Sequence, residues 1–472
     1  MTEHFPADRE WASVAIIGGG LSGAAVAYHL AHQVPSEAVR ITVIEPRGEL
    51  GQGVAYGTID PAHRLNVPHA TMTLTTAEPD HFARWLRETT TAAPDWLTPD
   101  GRIFPPRAVF GRYVADQIQP LIETGRIRHL GLRAVDVFPD QGGYGIILEN
   151  GDRLFADVVV LAVSHPPPGL PTELGALAGH PVLIADPFAR GALNEIQPDE
   201  RVLIVGSGLT GADMVASLSQ RLDPGHVHLL SRHGWRSQPH GPDQNETTAD
   251  FATAPARTTL ALLRRIRAAL ARDAAEGLTW HASFDRLRGQ ANAIWAALPV
   301  HERRRLLRHL RGLWDIHRFR IAPQTHEALL SAEASGRLTA HTGRITALRL
   351  RGASVQLDIR RRGSDSIATI DVDRVILATG PAHGRITETH QLLRRMAERR
   401  MLRADDLKLG LKVSSVGEVI DGAGAVLPNL LVAGPLARAS VGELMGVPEI
   451  TAWAEHIARA AAGLSMRSRV GD

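Results

Sequence analysis

Two short stretches decide the fold: Val14-Ala15-Ile16-Ile17-Gly18-Gly19-Gly20-Leu21-Ser22-Gly23 and Val202-Leu203-Ile204-Val205-Gly206-Ser207-Gly208-Leu209-Thr210-Gly211. Each is an apolar strand that runs into Gly-x-Gly-x-x-Gly and then into a helical pattern. That order marks the first βα turn of a dinucleotide-binding βαβ unit. In the first copy Gly18 permits the tight turn, Gly20 lets the backbone approach a pyrophosphate, and Gly23 lets helix and strand pack closely. Phosphate binding at the helix N-terminus follows from its free N–H groups and dipole. Gly206, Gly208 and Gly211 repeat the pattern, with Ser22 and Thr210 at equivalent places. Two such units in one chain suggest two dinucleotides held together, and the usual pair is FAD with NAD(P)H.

Working outward, Ile41-Thr42-Val43-Ile44 is the second strand of the first unit, and Glu45 closes it. A carboxylate there accepts hydrogen bonds from adenosine ribose hydroxyls. The second unit has Ser231-Arg232-His233 at the matching place. An arginine binds a 2′-phosphate that a carboxylate would repel, so the second site is expected to prefer NADPH. A solvated arginine would look the same in a chain this rich in them. Gly51-Gln52-Gly53-Val54-Ala55-Tyr56 and Leu65-Asn66-Val67-Pro68 follow the acid. Gly53 would let backbone lie against an isoalloxazine, and Asn66 could hydrogen-bond its edge. A surface loop with turn residues is an equally good reading. Gly434-Pro435 follows a buried strand and precedes the last helix, whose N-terminus would favour an anionic reduced flavin. An ordinary strand–turn–helix shares those residues.

The remaining pattern implies a discontinuous α/β plan with two Rossmann-like domains. Residues 1–170 and 371–472 form an FAD-binding domain. Residues 171–370 form an inserted NAD(P)H-binding domain that contains a helical insertion over about 256–320. The segments from Ile127 to Leu154 read as a β-meander. Val158–Leu161 and Val375–Leu377 read as buried parallel strands, the latter ending at Thr379-Gly380. Pro166-Pro167-Pro168 marks a domain crossing, and the final helix runs roughly over Pro448–Ala461.

At 472 residues the chain exceeds one hydrophobic core. It has no cysteine, which removes disulfides, thiolate metal sites and dithiol redox chemistry. No histidine spacing suggests a metal. A formal net charge of +2 does not point to nucleic acid or an anionic membrane. Of the 52 lysines and arginines only Lys408 and Lys412 are lysine. The cluster Arg303-Arg304-Arg305 with Arg308 and Arg311 reads as a solvated helix face. Met1–Glu10 lacks a secretory profile, and no apolar run is long enough to span a membrane, so a cytoplasmic protein is expected.

On the stretches Ile16–Gly23, Gly51–Tyr56 with Leu65–Pro68, Pro106–Tyr113, Val205–Gly211 with Ser231-Arg232, Trp314–Arg320, Ala378–Pro381, and Gly434-Pro435 with Val447–Ile450, the chain resembles bacterial FAD–NAD(P)-binding proteins related to two-dinucleotide flavoprotein monooxygenases. The resemblance spans nearly the whole chain. It implies an NADPH-dependent FAD enzyme that uses O₂, through a flavin C4a-hydroperoxide, to hydroxylate a small nitrogen-containing substrate. Three departures stand out. Ala162-Val163-Ser164 replaces an Ala-Thr-Gly turn, Gly434-Pro435 replaces Gly-Asp, and Pro381 replaces a tyrosine. A reductase passing electrons to a quinone or protein, and a slow redox-sensing flavoprotein, share every cofactor motif. No catalytic acid or base emerges; His63, His69 and His165 lie near the flavin-facing segments.

Overall fold

The computed structural model describes residues 11–163, 165–221 and 226–470. Met1–Glu10 and Ser164, both used in reading the sequence, lie outside the described residues. A six-stranded sheet runs in the order Glu418–Ile420, Val426–Val432, Val158–Leu161, Ala12–Ile17, Val39–Ile44, Ile127–Leu130. Its central strands are parallel, and Val158–Leu161 is fully buried, as continuous apolar runs require of a strand covered on both faces. The helix Leu21–Gln33 covers one face. It carries Ala24, Ala25 and Ala27 with no exposure, and packs on the final helix Val447–Val470. Small residues there let two helices approach closely.

A seven-stranded sheet has the order Ile367–Val372, Ser354–Arg361, Leu338–Arg351, His226–Ser231, Arg201–Val205, Arg374–Leu377, Leu183–Ile184. Its parallel half is the second dinucleotide unit. Between His226–Ser231 and Leu338–Arg351 the chain makes five helices over Thr259–Arg318, then the crossover helix Pro323–Ala334.

Three sequence expectations change. Arg374–Leu377 pairs with Arg201–Val205, so the return to the first unit at residue 371 is too early. The chain crosses back beyond Pro381, which bridges Pro168 on the outgoing linker. An apolar parallel strand reads alike in either sheet, which is why pattern alone misplaced it. Ile127–Leu130 is not part of the meander. It extends the six-stranded sheet beside Val39–Ile44, and the antiparallel meander is Ala134–Asp140, Gly143–Leu148 and Arg153–Ala156. Finally, Gly434-Pro435 does not lead directly into the last helix. A short helical turn over Pro435–Val441 intervenes, and the last helix starts at Val447. Among the described residues, no helix is long and apolar enough to cross a membrane.

Candidate dinucleotide sites and the cavity beside them

The two fingerprints are steric copies of each other. Gly18 has φ +102° and Gly206 φ +117°, backbone that favours glycine. A Cβ on Gly18 would sit 2.4 Å from the Ala162 carbonyl oxygen, and one on Gly206 would sit 2.2 Å from that of Ala378. A Cβ on Gly23 would meet the Gly18 oxygen at 1.9 Å, and one on Gly211 the Gly206 oxygen at 2.2 Å. Backbone pairing repeats as well. The Gly18 N–H donates to Ile44 and that of Gly206 to Leu230, both at 2.9 Å. The Ala162 N–H donates to Ile17 and that of Ala378 to Val205, both at 2.8 Å. Ala378-Thr379-Gly380 is thus the second unit's counterpart of the turn after Leu161.

The first fingerprint is brought together with most of the residues read from sequence. Gly20 begins the helix Leu21–Gln33 with no side-chain cap, leaving first-turn N–H groups open to an anion. A Cβ on Gly20 would approach only Gly53, at 3.3 Å from its Cα. The Gly51 N–H donates to the Gly19 carbonyl at 2.7 Å, which seats the Gly51–Gly53 turn on the loop. Glu45 is 5 % exposed; its Oε2 accepts the Gly19 N–H at 2.9 Å and its Oε1 the Arg47 N–H at 3.1 Å. Gly434 also reaches this place, since a Cβ there would lie 2.4 Å from Ser22 Oγ. Asn66 is held differently: its carbonyl oxygen lies 2.9 Å from His240 Nε2, tying the first unit to the second.

At the second fingerprint Gly208 is open, with nothing within 4 Å of an added Cβ. Arg232 is exposed at the end of its strand. It shares a depression of about 470 Å³ with Arg344, Arg360, Arg361 and Arg362. Those four arginines come from the antiparallel half of the sheet, and sequence reading missed them; the run Arg360-Arg361-Arg362 was the available signal. His233 stacks on Trp235 at 4.7 Å. Desolvation, with Arg362, Arg232 and Arg344 nearby, holds its pKa below the ordinary value.

A cavity of about 1200 Å³ runs from Val205–Thr210 and Gly380 into the helical insertion. Leu306 on the helix Val300–His309, Leu313 and Trp314 on the helix Arg311–Arg318, and Leu310 between the two line this cavity. The arginine cluster is only partly a solvated face. Arg303 lies over the Trp295 ring at 5.1 Å and donates to the Leu298 carbonyl, whereas Arg304, Arg305 and Arg308 are exposed.

His63 and His165 have structural partners. His63 Nδ1 lies 2.7 Å from Thr58 Oγ1, and its Nε2 lies 3.0 Å from Ser217 Oγ across the units. His165 Nδ1 lies 2.7 Å from His383 Nε2, joining the two linkers. Burial, then Arg438, pushes the His165 pKa down to about 4, and the same causes with His165 itself push His383 to about 2. His69, half-buried, is likewise held below its ordinary pKa by desolvation. Arg107 and Asp213 form a buried ion pair of 2.8 Å that also crosses between the units.

A family profile described as FAD-NAD(P)-binding matches residues 15–166. No curated protein matches the chain by sequence. Among solved structures, L-lysine 6-monooxygenase from Pseudomonas syringae is 19 % identical with a TM-score of 0.64, covering 96 % of this chain and 99 % of that one. Ornithine hydroxylase from Pseudomonas aeruginosa is 15 % identical with a TM-score of 0.63 and the same coverage. The FAD-bound cadaverine monooxygenase from Erwinia amylovora is 13 % identical with a TM-score of 0.61, covering 98 % of this chain and 95 % of that one. At such identities the likeness is one of fold. Residues 15–166 are thus similar to an FAD-NAD(P)-binding family, and the chain as a whole shares the fold of these solved structures.

Proposed function

We propose that this chain is an NADPH-dependent FAD monooxygenase that hydroxylates a small, nitrogen-containing molecule. The observation that carries the reading is the duplicated fingerprint geometry, with a large cavity opening on the second copy. The amine hydroxylases that share the fold support the reaction class.

On this reading Gly18, Gly20, Ser22, Gly23, Glu45 and Gly53 hold FAD, with Gly434 and Pro435 closing over the helix start. Glu45 takes the ribose hydroxyls, and its burial keeps competing water away. Asn66 serves the flavin edge. Gly206, Gly208, Thr210 and Gly211 hold the NADPH diphosphate, Gly380 borders the same cleft, and Arg232 with its neighbouring arginines takes the 2′-phosphate. FAD when bound supplies hydride acceptance from NADPH and activation of O₂. The protein's share is orientation and exclusion of water, and the apolar insertion helices provide the dry wall.

The FAD unit comprises the strands up to Val158–Leu161 and those after Pro381, with the second unit between the linkers. The partners are the substrate and O₂ rather than nucleic acid or membrane, and the setting is the cytoplasm. The test is flavin release and reduction. Purified protein should carry FAD that NADPH bleaches without oxygen, faster than NADH does. Protein recovered without flavin, or with flavin that NADPH leaves oxidised, would overturn the proposal.

A further inference from the structure

Among the described residues, the cavity lining carries a buried guanidinium, that of Arg438, for which no carboxylate forms an ion pair. Arg438 follows Gly434-Pro435, is 8 % exposed and lines the cavity. Its Nε donates to the Leu409 carbonyl at 3.1 Å and its Nη1 lies 3.2 Å from Met445 sulfur, while its Nη2 is buried with no hydrogen-bond partner. The carboxylates around it are committed elsewhere. Asp315 pairs with Arg311 at 3.4 Å. Glu443 pairs with Arg318 at 2.8 Å. Asp405 accepts the backbone N–H groups of Leu407, Leu409 and Gly410. Burial, and then Arg311, lowers the Arg438 pKa to about 10 against the opposing pull of Asp315, Asp405 and Glu443. A buried, unpaired guanidinium is costly, and an incoming anion would remove that cost with a charge-assisted bond.

The wall that the insertion helices give the cavity is mainly apolar. Trp280, Phe284, Ile294, Leu298, Leu310 and Trp314 line it from the insertion helices. Such a surface gains by covering an apolar or aromatic body, not a flexible polyamine.

We propose that this cavity binds a substrate with an apolar, aromatic body and a carboxylate, and that Arg438 is the residue that takes the carboxylate. The proposal deepens the monooxygenase reading and rests on it only for the fate of the bound molecule.

Binding is therefore tested without turnover. The flavin-loaded protein, with no NADPH, is titrated with indole-3-propionate, indole-3-propionamide and cadaverine, following quenching of tryptophan fluorescence. The acid should bind at least about tenfold more tightly than the amide, the scale of one lost charge-assisted bond, and cadaverine should not compete. Arg438→Met should erase the preference for the acid and leave the amide unchanged, and Arg438→Lys should restore part of it. Equal binding of acid and amide to the unaltered protein would overturn the proposal, and that comparison needs no variant to fold. So would an Arg438→Met protein that keeps the acid preference but loses flavin or shifts its visible spectrum, because the guanidinium would then serve the flavin. Failure of NADPH to reduce the flavin would count against the monooxygenase reading alone.

Discussion

The second fingerprint separates two roles of glycine that sequence cannot distinguish, so the pair Gly206→Ala and Gly208→Ala makes a sharp test. At Gly206 a methyl would lie 2.2 Å from the Ala378 oxygen and 2.6 Å from its carbon, both backbone atoms of the turn that ends the neighbouring strand, at φ +117°. The conformation alone costs an L-residue about 1–3 kcal/mol. Relieving the clash means shifting the strand end, which brings the total to at least about 3 kcal/mol. For a unit of this size, 1 kcal/mol moves the midpoint by roughly 2–4 °C, so Tm should drop by roughly 6–12 °C. At Gly208 the methyl meets no protein atom within 4 Å. Tm should stay within about 2 °C, while the methyl takes the place proposed for the diphosphate and raises the NADPH KM at least about tenfold. Differential scanning fluorimetry with steady-state NADPH oxidation reads both. A stable Gly206→Ala protein would refute the steric argument. An unchanged KM in Gly208→Ala would refute the placement of the dinucleotide.

Other expectations follow from the same geometry. Gly20→Val should abolish FAD retention, because its side chain would fill the gap between Gly20 and Gly53; a stoichiometric FAD complex, measured by absorbance after purification, would refute the assignment. Arg232→Ala should raise the NADPH KM about tenfold, the loss of one or two charge-assisted bonds, with NADH kinetics little changed; equal effects on both cofactors would remove Arg232 from the phosphate site. Burial depresses the pKa of His165, His228 and His240 to about 4 from an ordinary 6.5. The unfolded chain therefore binds protons first, so stability should be level above about pH 7 and be lost progressively from pH 6.5 towards 4. Urea midpoints that stay flat across that interval would contradict the burial of these rings.

The sequence was most legible where sterics leave no choice. At Gly18, Gly23, Gly206 and Gly211 an added Cβ would strike backbone, and only glycine is tolerated. The place of Glu45 beside the first fingerprint was readable because the strand that carries it is local to that fingerprint. Legibility failed where the decisive contact is distant. Val375–Leu377 is equally apolar whichever sheet it joins, and its partner Arg201–Val205 is visible only in three dimensions. Gly434 meets Ser22 through folding rather than through the helix that follows it in sequence. The basic depression around Arg232 draws on Arg344 and the run Arg360-Arg361-Arg362, which antiparallel pairing far along the chain brings beside it. Arg438 carried no motif; its significance lies in a buried nitrogen that finds no partner.

The central claim is that one chain uses NADPH and O₂ to oxygenate a substrate. The most direct measurement is NADPH oxidation under ¹⁸O₂ against a panel of amines, amino acids, purines and aromatic acids, with product mass followed. The expected result is a product that gains one atom of ¹⁸O, formed in step with NADPH consumption. Fast NADPH oxidation with a quinone as acceptor, slow oxidation with O₂ and no labelled product from any compound would contradict it.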